Sequence, residues 1–293
     1  MARLRNTLAT TPATGVASAP AAGPVVRSRR RRLVRLYGPL DPRTYFAVAV
    51  IAFALMLAAW WIAAALHVTS ELFLPSPPDV WNRAVALARD GSLASDTWAS
   101  FRRISIGFLI STAFGLPIGV LIGTYRIAEA AIEPPVDFIR YMPAVAFVPL
   151  TIVWFGVEET QKYVIIFIGT FFQQVLMVMD NVKRVPREYV DIGYTLGMKD
   201  GGVLARIVVP AAAPAIWDTL RITLGWAWTW LVVAELVAAS DGLGHRILTA
   251  QRYFQTDTIF LGILIIGLLG LAMDQGMKAM GAFLFRWAEP RRA

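Results

Sequence analysis

The chain has 293 residues, of which 57% are hydrophobic and 16% charged, with a mean hydropathy of +0.56 and a formal net charge of +8. This composition is too apolar for an ordinary soluble enzyme of this length and predicts a membrane protein. The sequence contains no cysteine, which excludes disulfides and thiolate metal sites, and its two histidines argue against a histidine-based metal site.

The N-terminal stretch is basic and lacks helical periodicity. Residues 6–26 are rich in Ala, Thr, Pro, Gly and Val, and a run of arginines follows at 29–32. We predict a disordered, basic cytoplasmic tail over residues 1–44. Its charge favours a role in topology and lipid contact over nucleic-acid binding. The first apolar run starts at Tyr45 and is long enough to span a bilayer, so it is not a secretory signal.

Apolar segments fill most of the remaining chain and predict an all-α integral membrane protein with about six transmembrane helices. A span needs about 20 mainly apolar residues, and the shorter segments reach this length with their flanks. The predicted spans are Tyr45–Leu66, Ile104–Gly123, Tyr141–Val157, Tyr163–Met179, Ala212–Ala239 and Thr258–Phe285. They form a transmembrane domain over residues 45–287, followed by a cytoplasmic C-terminus at 288–293.

Lysine and arginine set the predicted orientation. With the N-terminus inside, the tail, the 125–141 loop, the 180–211 loop and the C-terminus collect most of the positive charge. Both termini are therefore predicted to be cytoplasmic. Arg102 and Arg103 lie at the outer end of the second span, where this orientation would not place positive charge.

Small residues and prolines interrupt two of the spans. Gly115, Gly119 and Gly123 fall four apart in the second span, which predicts close helix packing within the chain in preference to a dimer contact. Pro143 and Pro149 are predicted to break the third span, as irregular backbone does where it lines a passage or forms a hinge.

Ionisable residues inside spans need a partner or water. Asp274 and Lys278, spaced i, i+4, are predicted to pair. Arg221 either pairs with Asp218 or contributes a cation to an anion pathway. Glu235 is either solvated at the interface or part of a gate.

Other polar and aromatic residues join the candidate pathway. Trp226 and Trp230 share a helical face, for packing or for the pathway, whereas Gln173 and Gln174 are typical of interhelical hydrogen bonds. The candidate pathway residues are Arg140, Pro143, Pro149, Gln173, Arg221, Trp226, Trp230 and Glu235.

Residues 186–210 form a polar segment between the fourth and fifth spans. Pro186 suits the first turn of a helix, and Glu188 complements its positive end. This helix runs to about Leu196, and Gly197 is suited to the left-handed position that ends it.

A second helix is predicted with Asp200 as its N-cap and Pro210 as its end. It is amphipathic, and its apolar face is formed by Val203, Leu204, Ile207 and Val208. By pattern alone, the two helices are either a handle for a partner or amphipathic turns resting on the bilayer.

This segment resembles the cytoplasmic signature of binding-protein-dependent ABC importer permeases: E-A-A, three residues, Gly, nine residues, Ile, one residue, Leu-Pro. Asp191, Gly197, Ile207, Val209 and Pro210 fit with the same spacing. Asp191 replaces the glutamate, Ile-Gly replaces the two alanines, and Val209 replaces the leucine. The glycine weakens the helix by about 1 kcal/mol relative to alanine.

Two further stretches resemble the nitrate, sulfonate and taurine branch of these permeases. One is RYMPAVAFVPLTIVWFG at 140–156, and the other is the turn Gly242-Leu-Gly244. The resemblance extends from Tyr45 to Trp287.

The resemblance implies a type I importer permease fold of the MetI-like kind in a bacterial plasma (inner) membrane. It also implies as partners cytoplasmic ABC ATPase subunits, an extracytoplasmic substrate-binding protein, and a second copy of the chain. Because the sequence has no P-loop motif, the chain is expected to be non-catalytic, with ATP and Mg on the ATPase. The substrate implied is a small anion such as nitrate, a sulfonate or taurine.

The residues implied to couple to the ATPase are Glu188, Asp191, Gly197, Met198, Lys199, Asp200, Arg206, Ile207, Val209 and Pro210. The alternative is an ion-coupled secondary transporter or channel that uses Arg221, Glu235 and the Asp274–Lys278 pair. A membrane scaffold for a cytoplasmic partner is a third hypothesis.

Overall fold

The computed structural model describes residues 41–70 and 72–288. Within these ranges the regular elements are all helical, so the predicted fold class is confirmed. The chain divides into two compact units, Met1–Leu55 and Met56–Ala293. The tail predicted over 1–44 lies outside the described residues up to 40, and so does the C-terminus from 289.

The helices are numbered in chain order. They are α1 Pro42–Ala65, α2 Pro77–Arg89, α3 Ser92–Thr124, α4 Arg126–Arg140, α5 Val148–Phe155, α6 Glu159–Lys183, α7 Arg187–Thr195, α8 Asp200–Val203, α9 Val209–Ala238, α10 Leu243–Arg252 and α11 Thr256–Leu284. A 3₁₀ turn, Ala144–Phe147, precedes α5, and a π-helical turn, Leu204–Val208, joins α8 to α9.

Five helical stretches of the described chain are long and apolar enough to cross a membrane. They are Arg43–Ala65, Ser92–Thr124, Glu159–Lys183, Asp200–Ala238 and Thr256–Leu284. To within one residue at the C-terminal ends, these stretches cover every predicted span except the third. A sixth crossing is reached if the bent pair of α4 and Ala144–Phe155 counts as one span.

The third predicted span, Tyr141–Val157, is broken at Pro143, as the sequence predicted. The chain bends by 88° between α4 and the 3₁₀ turn, and Pro143 lies in the break with φ −60° and ψ 118°. Proline has no N–H and disfavours helical backbone at the preceding Met142, which explains the break. The break predicted at Pro149 is absent, because this residue lies in the first turn of α5, where no helical donor is needed.

The core of the second unit forms where α3 packs along α6 and α6 along α9. Glycines allow the first of these contacts. A Cβ at Gly119 would lie 2.7 Å from the Val175 carbonyl oxygen, and one at Gly123 would lie 2.7 Å from Val182 Cβ. The prediction that these glycines serve packing within the chain is confirmed.

Side-chain hydrogen bonds also join α3 to α6. The Ser111 hydroxyl donates to Gln174 Oε1 at 2.8 Å, and Gln174 Nε2 donates to the Thr112 hydroxyl at 3.0 Å. The interhelical role predicted for Gln174 is confirmed.

Candidate coupling segment and transport pathway

The helix α7 ends in a left-handed glycine. Gly197 has φ +76°, and its N–H donates to the Tyr194 carbonyl at 2.9 Å. The N–H of Met198 donates to the Gly193 carbonyl at 3.1 Å. Together these bonds form a Schellman motif, so the predicted conformation of Gly197 is confirmed and the turn after α7 is fixed by backbone bonds.

The second helix differs from the prediction at both ends. Lys199, not Asp200, holds the N-cap position of α8. The Asp200 carboxylate instead accepts a hydrogen bond from the Tyr194 hydroxyl at 3.2 Å, and this bond raises the pKa of the Tyr194 phenol. Pro210 does not end the helix, because the backbone continues through the π turn and Pro210 lies in the first turn of α9. The extra residue of a π turn shifts the backbone hydrogen bonds, which accommodates the missing proline N–H.

Gly193 lets α7 pack on the π turn. It is buried, and a Cβ there would lie 2.7 Å from Ile207 Cδ1 and 3.1 Å from Val203 Cγ2. The apolar face predicted for the second helix lies in one cluster with α3 and α6 residues. Gly193 lowers the stability of the α7 helix itself, but it allows a close contact between α7 and the π turn.

The outer face of the segment is exposed and partly apolar. Tyr189 and Ile192 on α7 and Leu196 at its C-cap, spaced i, i+3, i+7, are 50%, 56% and 74% exposed. Most of the predicted coupling residues are exposed as well: Glu188, Asp191, Gly197, Lys199, Asp200, Arg206 and Pro210. The remaining ones are half-buried: Met198, Ile207 and Val209.

A cavity of about 680 Å³ lies between this segment and the adjoining ends of α3, α4 and α6. Its charged lining includes both signs: Arg126, Glu129, Lys183, Arg187, Asp191 and Asp200. Lys183 Nζ lies 3.0 Å from Glu129 Oε1 and 3.7 Å from Glu133 Oε2. These pairs tie the end of α6, which leads into α7, to α4.

A second cavity, of about 370 Å³, brings together most of the candidate pathway residues. Its lining includes Arg140, Pro143, Gln173, Trp226 and Trp230. It lies at the break between α4 and the 3₁₀ turn, where α6 and α9 face that break. The lining does not include Pro149, Arg221 or Glu235.

Arg221 is engaged by two carboxylates. Its Nε and Nη2 each lie 3.1 Å from an oxygen of Asp274, and its Nη1 lies 3.2 Å from Asp218 Oδ1. The predicted Asp218–Arg221 pair is confirmed. The predicted Asp274–Lys278 pair is wrong, because the planar guanidinium binds both oxygens of Asp274 at once.

Arg103 on α3, which did not fit the predicted orientation, lies next to the N-terminal end of α6. It is 1% exposed, and a guanidinium has five N–H donors to satisfy. Nε and Nη2 bind Glu159, at 2.9 Å and 2.6 Å, and Nη1 binds Glu235 Oε1 at 2.9 Å. The Asp241 carbonyl accepts from Nη1 at 2.8 Å, and the Asp241 carboxylate accepts from Nη2. Every donor is used by the protein itself, so Arg103 has none left for a substrate.

Glu235 is fully buried and bound on both oxygens. Oε1 accepts from Arg103 and from the Ser100 hydroxyl at 2.7 Å, and Oε2 accepts from the Gly244 N–H at 2.8 Å. The interfacial solvation predicted as one role of Glu235 is therefore wrong. Its carboxylate joins α3, α9 and α10.

The backbone of the turn Gly242-Leu-Gly244 makes hydrogen bonds to the side chains of Asp96, Ser100 and Glu235. The N–H of Gly242 donates to Asp96 Oδ1, and that of Leu243 to the Ser100 hydroxyl, both at 2.9 Å. Gly242 has φ 102° and ψ 165°, a region open essentially to glycine alone. A Cβ at Gly242 would overlap the Glu235 carboxylate and the Arg103 guanidinium.

Comparison with known proteins identifies the family. The family model described as binding-protein-dependent transport system inner membrane component matches residues 115–284. The chain belongs to this family. The permease is 40% identical over 246 residues to a probable ABC transporter permease protein of Brucella abortus, which covers 84% of this chain and 97% of that relative.

Two further relatives have names that specify a transported compound. It is 31% identical over 254 residues to the taurine transport system permease protein of Escherichia coli, with 85% of this chain and 92% of that protein covered. It is 32% identical over 234 residues to a putative aliphatic sulfonates transport permease protein of Bacillus subtilis, with 80% and 85% covered. These relatives give no support to the secondary transporter or channel hypothesis.

The fold is shared with an importer of known structure. A chain of the MetNI methionine ABC transporter in an inward-facing conformation aligns with a TM-score of 0.53 at 20% identity. The alignment covers 65% of the permease and 98% of that chain. The permease therefore has the MetI-like fold that the resemblance implied.

Asp96, Ser100, Arg103, Glu159, Glu235 and Asp241 form what we call the Arg103 cluster, which the sequence did not reveal. Asp96, Ser100 and Arg103 are spaced i, i+4, i+7 and so form a polar stripe on α3, which was the available signal. Their partners lie on α6, α9 and α10, and spacing along one helix does not identify residues on another.

Proposed function

We propose that the permease forms the membrane pathway of an ATP-driven importer for small anions of the nitrate, sulfonate or taurine kind. Family membership gives the transport role. The substrate class is supported by two relatives whose names specify taurine and aliphatic sulfonates.

The coupling segment, Pro186 to Pro210, is the proposed docking site for the ATPase. Its exposed apolar stripe, Tyr189, Ile192 and Leu196, supports this role, because such a stripe on a helix fixed by backbone bonds suits a groove on a partner. ATP and Mg belong to that partner. The permease transmits the movement of the ATPase through α6 and α9, between which the segment is inserted.

The proposed assembly contains two copies of the permease, two ATPase subunits and one extracytoplasmic binding protein. Both termini and the coupling segment face the cytoplasm, as the distribution of Lys and Arg predicts. The α10 end of the bundle then faces the binding protein. The 370 Å³ cavity is the proposed part of the pathway within one subunit.

Two glycines of the coupling segment allow a matched test of coupling. A Cβ would meet no atom within 4 Å at either Gly197 or Gly201, but Gly197 alone of the two has a positive φ. Gly197→Ala therefore strains the turn by about 1–2 kcal/mol, whereas Gly201→Ala adds the same methyl group without that strain.

The test is co-purification of the permease with its cognate ATPase, followed by ATPase activity in lipid with the binding protein present. We expect Gly197→Ala and Gly197→Asp to lose the ATPase or its stimulation, and Gly201→Ala to behave as the wild type. Equal behaviour of Gly197→Ala and Gly201→Ala would contradict coupling through this turn. A wild-type permease that captures no ATPase would overturn the importer assignment.

A further inference from the structure

The 370 Å³ cavity has the size and position of a ligand site. Small-molecule sites occupy about 300–1,000 Å³. The lining residues Gly169 and Gln173 lie near the middle of α6, a helix of 25 residues that joins the Arg103 cluster to the coupling segment. At about 1.5 Å per residue, the cavity is therefore roughly halfway along the bundle.

The charge of the lining has one sign. Arg140 is the charged member of the described lining, and the other members are uncharged: Ile139, Tyr141, Met142, Pro143, Ala144, Ile168, Gly169, Phe172, Gln173, Trp226, Thr229 and Trp230. The cavity near the coupling segment differs, because it mixes acidic and basic groups. The lining therefore contributes a cation and no carboxylate, and the Asp137 carboxylate that pairs with Arg140 lies outside the lining.

The Arg140 guanidinium is held by two neighbouring side chains, but not all of its N–H donors are used. Its Nε lies 2.8 Å from Asp137 Oδ1, and its Nη2 donates to the Tyr141 hydroxyl at 3.0 Å. The guanidinium also lies over the Tyr141 ring, with Cζ 4.7 Å from the centroid. Among the described residues, Nη1 has no hydrogen-bond partner. Arg140 thus contrasts with Arg103, whose donors are all taken.

Neutral donors surround the same space. The residues Gln173, Thr229, Trp226 and Trp230 line the cavity, and none of their side chains makes a hydrogen bond within the described part of the chain. Each can donate to an oxygen, and an indole N–H can only donate. Side-chain donors that have no acceptor within the protein can donate to the oxygens of a bound oxyanion.

The apolar part of the wall is fixed in place. The Trp230 ring lies directly against Gly169, where a Cβ would overlap it. Trp226 and Phe172 line the same cavity. This arrangement places aromatic faces beside the polar donors, which suits a ligand with a short organic tail.

We propose that this cavity is a transient binding site for one small organic oxyanion, such as an alkyl sulfonate, on its way through the permease. The anionic oxygens contact Arg140 and the neutral donors, Gln173 and Thr229, while the tail lies against Trp226. The proposal rests on the anion-import function proposed above and adds a specific site to it.

Because the permease has no cysteine, an introduced thiol is its single labelling site, and label on the permease chain can be measured in the reconstituted permease–ATPase complex. Thr229→Cys places one thiol in the cavity, and Ser95→Cys places one at an exposed position of α3 outside it. We expect millimolar ethanesulfonate to slow the labelling of Thr229→Cys by a small thiol reagent severalfold, and ethanol to have no effect. Labelling of Ser95→Cys should be unchanged by both.

Arg140 is tested by import. In proteoliposomes with the ATPase and binding protein, Arg140→Gln should lower the sulfonate imported per ATP hydrolysed about tenfold, since one hydrogen bond to a charged group is worth roughly 1.5 kcal/mol or more. Arg140→Lys should retain more import than Arg140→Gln. Arg89→Gln, an exposed arginine on α2, is the matched control and should import normally.

The outcomes separate the site from the function. Unprotected Thr229→Cys, or an Arg140→Gln complex that imports sulfonate at the wild-type ratio, would overturn the site while import itself stands. If Arg140→Gln does not fold, Thr229→Val and Gln173→Leu replace it, and normal import by both would overturn the site. A wild-type complex that imports no small anion would instead overturn the proposed function.

Discussion

Arg103 and Glu235 form an ion pair of 2.9 Å in which the arginine is 1% exposed and the glutamate is fully buried. They are 132 residues apart in the chain, and the pair ties α3 to α9. Their remaining partners differ. Arg103 also binds the carboxylates of Glu159 and Asp241, whereas Glu235 otherwise receives only neutral donors, from Ser100 and Gly244.

This asymmetry predicts unequal effects of mutation. Arg103→Met leaves the buried Glu235 carboxylate without a counter-ion and should lower the free energy of unfolding by about 3–5 kcal/mol. Glu235→Gln leaves Arg103 with two carboxylates, but the amide nitrogen cannot accept as a carboxylate oxygen does, so the smaller cost should be about 1–3 kcal/mol. Unfolding in detergent, followed by tryptophan fluorescence, measures both. Equal losses would show that the pair is not organised as described.

Substitution of Gly242 should destabilise the permease for two separate reasons. Gly242→Ala forces a side chain into a glycine-only backbone region at a cost of about 1–3 kcal/mol, and its methyl group also meets Glu235 and Arg103. Gly267→Ala in α11 is the control, because a Cβ there meets no atom within 4 Å and alanine favours the helix. We expect Gly242→Ala to lower the unfolding temperature and Gly267→Ala to leave it unchanged or raise it. The same unfolding measurement decides the point.

The sequence predicted features that depend on neighbours along the chain. The left-handed Gly197 follows from one helix and its cap, and the apolar spans follow from composition. The pairing of Asp218 with Arg221 is likewise a contact along one helix. Each of these depends on local backbone and side-chain chemistry, which a sequence displays directly.

Features that depend on contacts between helices were missed or misassigned. Arg103 looked misplaced because its partners are separated from it by 56, 132 and 138 residues. Asp274 was assigned to the lysine on its own helix, although an arginine on α9 is better placed. The helical path through Pro210 was missed because the π turn that accommodates this proline has no strong sequence signal.

The close contact between α3 and α6 predicts a sensitive glycine. Gly119→Ala places a methyl group 2.7 Å from the Val175 carbonyl oxygen, which belongs to rigid backbone and cannot move aside easily. We expect it to lower the free energy of unfolding by about 1–3 kcal/mol. Gly225→Ala in α9 meets no atom within 4 Å and is the control. If both variants unfold alike, α3 and α6 are less closely packed than described.

Exchange of Arg221 and Asp274 distinguishes a structural pair from a pathway cation. Both side chains are partly exposed, so Arg221→Gln or Asp274→Asn alone should cost only about 0.5–1 kcal/mol. The double variant Arg221→Asp with Asp274→Arg keeps a pair of opposite charges between α9 and α11 but sets the new carboxylate three residues from Asp218, so it should recover anion import and part of the stability. Import in proteoliposomes and unfolding in detergent are measured on the same preparations. Recovery of stability without recovery of import would mean that a positive charge is required at position 221 itself, and would return Arg221 to the pathway.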